Sequence, residues 1–127
     1  MEHEFEISQA VRTLDPWART AFLDEDPKVI AVDFDETISD NEAGWTLVLS
    51  LLEKIGYHVV ICTMRKPTEY PEDLKFLVDK GYAVFYTSRQ AKQEYMAAQG
   101  IKVAIWIDDN VSAILFDNGM LPCVSLN

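Results

Sequence analysis

The feature that most constrains the fold is an alternation of short apolar runs with segments of helical spacing. The apolar runs cover residues 29–32, 57–62, 82–86 and 103–107. The first of them, residues 29–32, is a continuous apolar run, as expected of a strand buried on both faces. Strand and helix in alternation favour a parallel sheet with helices on both sides. The sequence therefore predicts a doubly wound, three-layer α/β/α fold, Rossmann-like in its core.

The helices between these runs show more local signals. The first carries Trp45, expected in the core, and ends at Gly56. The second is expected to begin at Pro71 and to bury three apolar residues, Leu74, Leu77 and Val78. Thr87 and Gln90 have the spacing of a capping box, which predicts the start of a third helix. A short helix over 111–116 and a last strand over 121–124 complete the prediction.

Length and composition set the class of protein. The chain has 127 residues, 49% of them hydrophobic, which suits one domain with its own core. We expect a helical N-terminal extension over 1–27 and the core domain over 28–127. No apolar stretch has the roughly 20 residues of a membrane span, and the acidic N-terminus lacks the pattern of a signal peptide. With Cys62 and Cys123 interpreted as buried free thiols, a cytoplasmic location is expected.

The net charge of −10 argues against a general nucleic-acid-binding protein. Residues 1–45 hold 12 of the 21 acidic side chains and 3 of the 11 basic ones. An anionic substrate must therefore be bound by local features rather than by the overall field.

Polar side chains follow the predicted strands where the strands end. Asp33 and Asp35 follow the first strand, Thr63 the second, and Asp108-Asp109 the fourth. In a parallel sheet these residues meet at one edge, which is where such folds bind ligands. Because like charges at short range repel, a divalent cation with oxygen ligands would let the aspartates coexist. The sequence therefore predicts a Mg2+ site.

The same pattern suggests catalysis. Residues two apart on a strand point the same way, so Asp33 and Asp35 can both face the crevice. One carboxylate can attack phosphorus while the other handles the leaving-group proton. A lysine would balance the charge. Lys92 lies near a helix N-terminus at the correct end of the sheet, and its rivals are Lys80 and Lys102.

These motifs, Asp33-Phe34-Asp35-Glu36-Thr37 followed by Thr63, Lys92 and Asp108-Asp109, resemble the four ordered motifs of the haloacid dehalogenase superfamily. The resemblance implies that Asp33 is a nucleophile that forms an aspartyl-phosphate and also binds metal. It implies acid–base chemistry for Asp35, with its backbone carbonyl on magnesium, and metal binding by Asp108 with support from Asp109. The remaining roles that it implies are loop stabilisation by Thr37, phosphoryl contact by Thr63 and charge compensation by Lys92. Arg65 could contact substrate or lie in solvent.

The gaps between motifs bear on the substrate. Only 25 residues separate Thr37 from Thr63, and 28 separate Thr63 from Lys92, so neither gap holds a cap domain. A capless enzyme acting on a small phosphomonoester, such as a nucleotide or sugar phosphate, is the main expectation. The alternatives are a nucleic-acid end phosphatase and a non-catalytic phosphate-binding or partner-binding domain. A response-regulator receiver would place its acid pair early and its lysine last, which is the opposite order. The oligomeric state is left open.

Overall fold

The computed structural model describes residues 27–118, and in this range the protein is an α/β domain with one parallel sheet. The strands are β1 (Val29–Val32), β2 (His58–Thr63), β3 (Ala83–Tyr86) and β4 (Val103–Ile107). The helices are α1 (Glu42–Lys54), α2 (Lys75–Asp79), α3 (Lys92–Ala98) and α4 (Ser112–Leu115), with 3-10 turns over Ile38–Asp40 and Pro71–Leu74. The helical N-terminal extension, Cys123 and the strand expected over 121–124 lie outside the described residues. The division at residue 28 stays a prediction.

All four strands are parallel and lie in the order β3-β2-β1-β4. The predicted α/β class and parallel sheet are therefore confirmed. The chain moves outwards from β1 to β2 and β3, and then crosses back to add β4 on the other side of β1. The strand order thus reverses between β1 and β4, and open α/β sheets bind ligands at such a point.

Alternating strand residues build two separate cores. Ile30 and Val32 of β1 face α1 and α2, where they pack with Leu49 and Leu77. Ala31, the residue between them, faces α3 on the opposite side of the sheet. Because successive side chains on a strand point to opposite faces, one apolar run supplies both cores. The helices therefore flank the sheet on both faces.

Helix α1 follows the β1 loop and is closed at its start by a side chain. Asn41 Oδ1 accepts a hydrogen bond from the Gly44 N–H at 2.8 Å, which satisfies one of the unpaired donors of the first turn. A Cβ at Gly44 would come within 3.0 Å of the Asn41 side chain, so glycine suits this close approach. The helix ends before Gly56, whose φ is 108°. The predicted end of this helix is confirmed.

Two local predictions are wrong. Val78, expected in the core, is 53% exposed, while Leu74 and Leu77 are buried. The helix expected from Pro71 is a 3-10 turn over Pro71–Leu74 followed by α2, so Leu74 and Val78 do not share one regular α-helix. Thr87 and Gln90 do not form a capping box, since α3 begins only at Lys92.

Long-range and backbone effects explain the later start of α3. Ser88 and Arg89 have φ values of 54° and 75°, which a right-handed helix cannot include. The Ala91 N–H before the helix donates instead to Asp117 Oδ1 at 2.7 Å. In the described range, no helix combines the length and apolar character that crossing a membrane requires.

Candidate functional site

The predicted residues from β1, α3 and β4 meet at the carboxyl edge of the sheet, between β1 and β4. Lys92 Nζ donates to Asp33 Oδ1 at 2.8 Å and to Asp108 Oδ2 at 2.6 Å. The side chains of Lys92, Asp33 and Asp108 are only 2%, 8% and 2% exposed. Lys80 and Lys102, the rival lysines, are exposed. The structure therefore brings together one ammonium and two carboxylates in a buried cluster.

Sheet geometry produces this cluster. The Asp33 N–H donates to the Ile107 carbonyl at 2.8 Å, so the strand pairing continues one residue past β1. This bond brings the start of the Asp33 loop against the end of β4, immediately before Asp108. Lys92 is the first residue of α3, on the same face of the sheet as Ala31.

The buried charges shift one another's proton affinities. Burial raises the pKa of Asp33 from its ordinary value of 3.8 to about 7, and the Lys92 ammonium only partly offsets this. Burial alone would lower the pKa of Lys92, but Asp33 and Asp108 outweigh burial and the pKa is raised. Lys92 therefore stays an ammonium. This single cation contacts the carboxyl groups of both Asp33 and Asp108.

Once Asp33 is ionised, two carboxylates face one ammonium, and this excess of negative charge suits a cation. Asp33, Asp108 and Asp109 can each offer one carboxylate oxygen, and these three atoms lie within 4.8 Å of one another. Hard oxygen donors of this kind are the ligands that Mg2+ prefers. The residues thus fit the metal, and Asp109, the exposed member, lies towards solvent. The Asp35 carboxylate is not a member of this group. The metal contact expected of Asp35 is through its backbone carbonyl, and it stays a prediction.

Asp35 instead pairs with Arg65. The guanidinium donates from Nε to Asp35 Oδ2 at 3.0 Å and from Nη2 to Oδ1 at 2.7 Å, a bidentate geometry. Arg65 Nη1 also donates to Asp73 Oδ2 and to the carbonyls of Glu69 and Tyr70. The hydrogen bond with Asp35 helps to raise the pKa of Arg65 above its usual range.

Arg65 is therefore held mainly by contacts within the chain. Its guanidinium also lies 5.2 Å from the centre of the Phe34 ring, next to Asp35. Sequence reasoning left substrate contact and solvent exposure open for this residue and missed its pairing with Asp35. Contact with substrate stays a prediction.

The predicted threonines both lie at the site edge. Thr37 Oγ1 is 3.4 Å from Asp33 Oδ2, a long hydrogen bond that ties the loop to the carboxylate. Thr63 is buried at the end of β2, and its Oγ1 accepts the Arg65 N–H at 3.2 Å. Because Thr63 accepts in this bond, its own O–H proton can be donated elsewhere.

Two further groups near this edge are a thiol and a hydroxyl. Cys62 is buried as predicted, and burial raises the pKa of its thiol to about 12, so it is not a nucleophile near neutral pH. Thr87 Oγ1 is buried without a hydrogen-bond partner among residues 27–118. The capping-box prediction had placed this hydroxyl at a helix start, so its burial was missed.

A cavity of about 350 Å³ opens beside Asp108 and Asp109, and Asp33 is not among the residues that line it. Its lining residues are Glu36, Thr37, Asp40, Trp45, Ile107, Asp108 and Asp109. Trp45 packs against the core, as predicted, and also lines this cavity. Sequence reasoning missed Glu36 and Asp40 as lining residues. Glu36 has a φ of 60° in the turn after β1, a conformation that the sequence pattern does not reveal. It is an open depression of the surface, and Asp108 lies at its wall.

A scan against protein-family models, a search of curated proteins and a search of solved structures found no match to this chain. The comparisons therefore identify no family.

Proposed function

We propose that the protein is a magnesium-dependent phosphomonoesterase in which Asp33 attacks phosphorus. The observation that supports this most is the buried contact of Lys92 with Asp33 and Asp108, next to a third carboxylate on Asp109. One ammonium balances the charge of one carboxylate, so ionised Asp33, Asp108 and Asp109 together carry more negative charge than Lys92 offsets. An excess of carboxylates at a sheet switch point, open to a cavity, suits a site that receives a metal and a phosphoryl group.

Each residue has a defined part in this proposal. One oxygen of the Asp33 carboxylate forms a bond to phosphorus as the bond from phosphorus to the leaving oxygen breaks. Lys92 stays beside Asp33 and offsets the charge of the phosphoryl group. Asp108 and Asp109, with Asp33, would hold Mg2+, which when bound supplies charge neutralisation for the phosphoryl oxygens.

The second half of the reaction releases phosphate. Water attacks the phosphorus of the aspartyl-phosphate, and the bond from phosphorus to the Asp33 oxygen breaks. Asp33, the nucleophile of the first step, is now the leaving group and is regenerated as a carboxylate. Asp35 is the candidate to exchange protons with the leaving group and with this water. Arg65 holds the Asp35 carboxylate in a fixed orientation, and Thr63 can donate its hydroxyl proton to a phosphoryl oxygen. Because the motifs occur in this order, we also propose that the protein is a haloacid dehalogenase superfamily member that lacks a cap domain.

The acidic charge around the cavity favours a small substrate. Glu36 and Asp40 on its rim repel a polyanion, in keeping with the net charge of −10. A phosphomonoester with a small leaving group, such as a nucleotide or a sugar phosphate, is therefore favoured over the end of a nucleic acid. A panel of mononucleotides, sugar phosphates and end-phosphorylated oligonucleotides, each assayed for phosphate release, separates the two classes.

The decisive experiment compares Asp33→Asn with wild type on p-nitrophenyl phosphate, with Mg2+ and with EDTA. We expect Mg2+-dependent release of phosphate by the wild type and none by the variant, with both proteins folded by circular dichroism. Asp79→Asn is a matched control, because Asp79 is exposed and, among residues 27–118, pairs with Lys75 on α2. Near-normal turnover by Asp33→Asn would remove Asp33 as nucleophile. A folded wild type with Mg2+ and no turnover on any substrate would favour a non-catalytic binding domain.

A further inference from the structure

Helix α1 is apolar on two sides, although only one of them faces the sheet. Leu49 is fully buried against the strands. Leu47 and Leu51 of α1 and Ile55, the residue directly after the helix, follow one another at four-residue spacing. They form what we name the outer face of α1 and are 62%, 51% and 68% exposed. A surface helix normally carries polar residues there, and a helix that is apolar all round is normally buried. The outer face of α1 is therefore a candidate surface for packing.

The chain enters the described domain beside this face. The His58 N–H donates to the Lys28 carbonyl at 2.9 Å, and Ile55 lies only three residues before His58. The outer face extends eight residues along α1, about 12 Å. Five extended residues before Lys28 span about 16 Å. The segment that precedes residue 23 is thus within reach of the whole face.

The sequence of that segment suits an apolar surface. Ile7, Val11 and Leu14 recur at the spacing of one helix face. Residues 5–23 carry two acidic side chains, Glu6 and Asp15, and two basic ones, Arg12 and Arg19, and so have no net charge. A second copy of the protein would instead bring a net charge of −10 against −10, which opposes association. Because the segment belongs to the same chain as α1, its effective concentration at the outer face is on the order of millimolar.

We propose that residues 5–23 pack against the outer face of α1 in the same molecule. This contact buries Leu47, Leu51 and Ile55 and is independent of the activity proposed above.

Limited trypsin digestion of the full chain tests the contact, because Arg12 and Arg19 lie inside the segment. We compare the wild type with Leu51→Asp on the face and with Val11→Asp on the segment, and follow the released N-terminal peptides by mass spectrometry. Either variant is expected to speed cleavage at Arg12 and Arg19 about tenfold or more, since burial of one large aliphatic side chain corresponds to at least that factor. Val78→Asp is the matched control, because Val78 is equally exposed on α2, and it should leave both cleavage rates unchanged.

Other outcomes would overturn the proposal. Equally fast cleavage at Arg12 in the wild type and in both variants would show that the segment does not pack on α1. A wild type that is dimeric by light scattering and becomes monomeric in Leu51→Asp, with the cleavage rates unchanged, would assign the face to a second copy. Accelerated cleavage in Val78→Asp would place the segment on another surface. Val11→Asp keeps the test informative even if Leu51→Asp disturbs α1.

Discussion

The raised pKa of Asp33 makes a quantitative prediction for the metal-free protein. The folded-state pKa is about 7 against an ordinary value of 3.8. Between these values the unfolded chain has lost the Asp33 proton while the folded chain still holds it. The unfolded state then binds fewer protons, so the free energy of unfolding contributed by this group falls as pH rises. Its stabilising contribution is complete below about pH 3.8 and is lost as pH passes through about 7.

The size of the effect follows from the shift. A difference of about three pKa units, at 1.36 kcal/mol for each unit, gives about 4 kcal/mol as the upper limit at pH 7.5. Asp33→Asn removes this titration. The substitution also changes packing and the bond to Lys92, but those effects vary little with pH. The difference in unfolding free energy between Asp33→Asn and the wild type should therefore shift by up to about 4 kcal/mol in favour of the variant between pH 4 and pH 7.5.

Urea unfolding in EDTA at four pH values, followed by circular dichroism, measures this difference. A second series with Mg2+ should recover stability mainly above pH 6, since metal binds the deprotonated carboxylates and competes with protons. Asp79→Asn, at an exposed site, is the control for a generic loss of negative charge. If the difference between Asp33→Asn and the wild type stays constant across the range, then Asp33 ionises normally in the folded protein and the reasoning is refuted.

Three other substitutions test separate parts of the structure. Lys92→Met leaves two buried carboxylates without their cation and should lower the unfolding free energy by about 3–5 kcal/mol at pH 7.5, with partial recovery in Mg2+; an unchanged urea midpoint would contradict the buried contact. Arg65→Lys keeps the charge but loses the bidentate fork to Asp35, so kcat should fall about tenfold with KM nearly unchanged, the factor for one lost charged hydrogen bond; a rise in KM alone would instead indicate contact with substrate. Asn41→Ala removes the cap of α1 and should cost about 1 kcal/mol in thermal unfolding, whereas a loss below about 0.3 kcal/mol would contradict its capping role.

The sheet could be predicted because its signal is local. The central strands β1 and β2 are buried on both faces, which needs helices on both sides, and the following segments supply them. The edge strands β3 and β4 are only partly buried. The start of α3 could not be predicted in this way. The spacing of Thr87 and Gln90 fits a capping box, but Ser88 and Arg89 adopt positive φ and Asp117 binds the Ala91 N–H from 26 residues away. A local pattern therefore competed with a tertiary contact, and the tertiary contact determined where the helix begins.

Some contacts of the candidate site could be predicted from the sequence, and others depend on tertiary structure. Asp33, Lys92 and Asp108 follow from topology, because parallel strands bring their carboxyl ends together and the crossover from β3 to β4 must begin at that edge. The partner of Asp35 does not follow from topology. Arg65 reaches Asp35 only because a loop supplies Asp73 and the Glu69 and Tyr70 carbonyls on its other side.

That loop links the orientation of Asp35 to residues far from it in sequence. Arg65 is bonded to Asp35 through Nε and Nη2 and to the loop through Nη1, so movement of the loop would pull on the same guanidinium that fixes the carboxylate. Asp73→Asn keeps the shape of the loop side chain but weakens its hold on Arg65. If Asp35 exchanges protons during turnover, this distant substitution should change kcat in the same direction as Arg65→Lys and by a smaller factor. An unchanged kcat in Asp73→Asn, with a reduced one in Arg65→Lys, would show that Arg65 positions Asp35 without help from the loop.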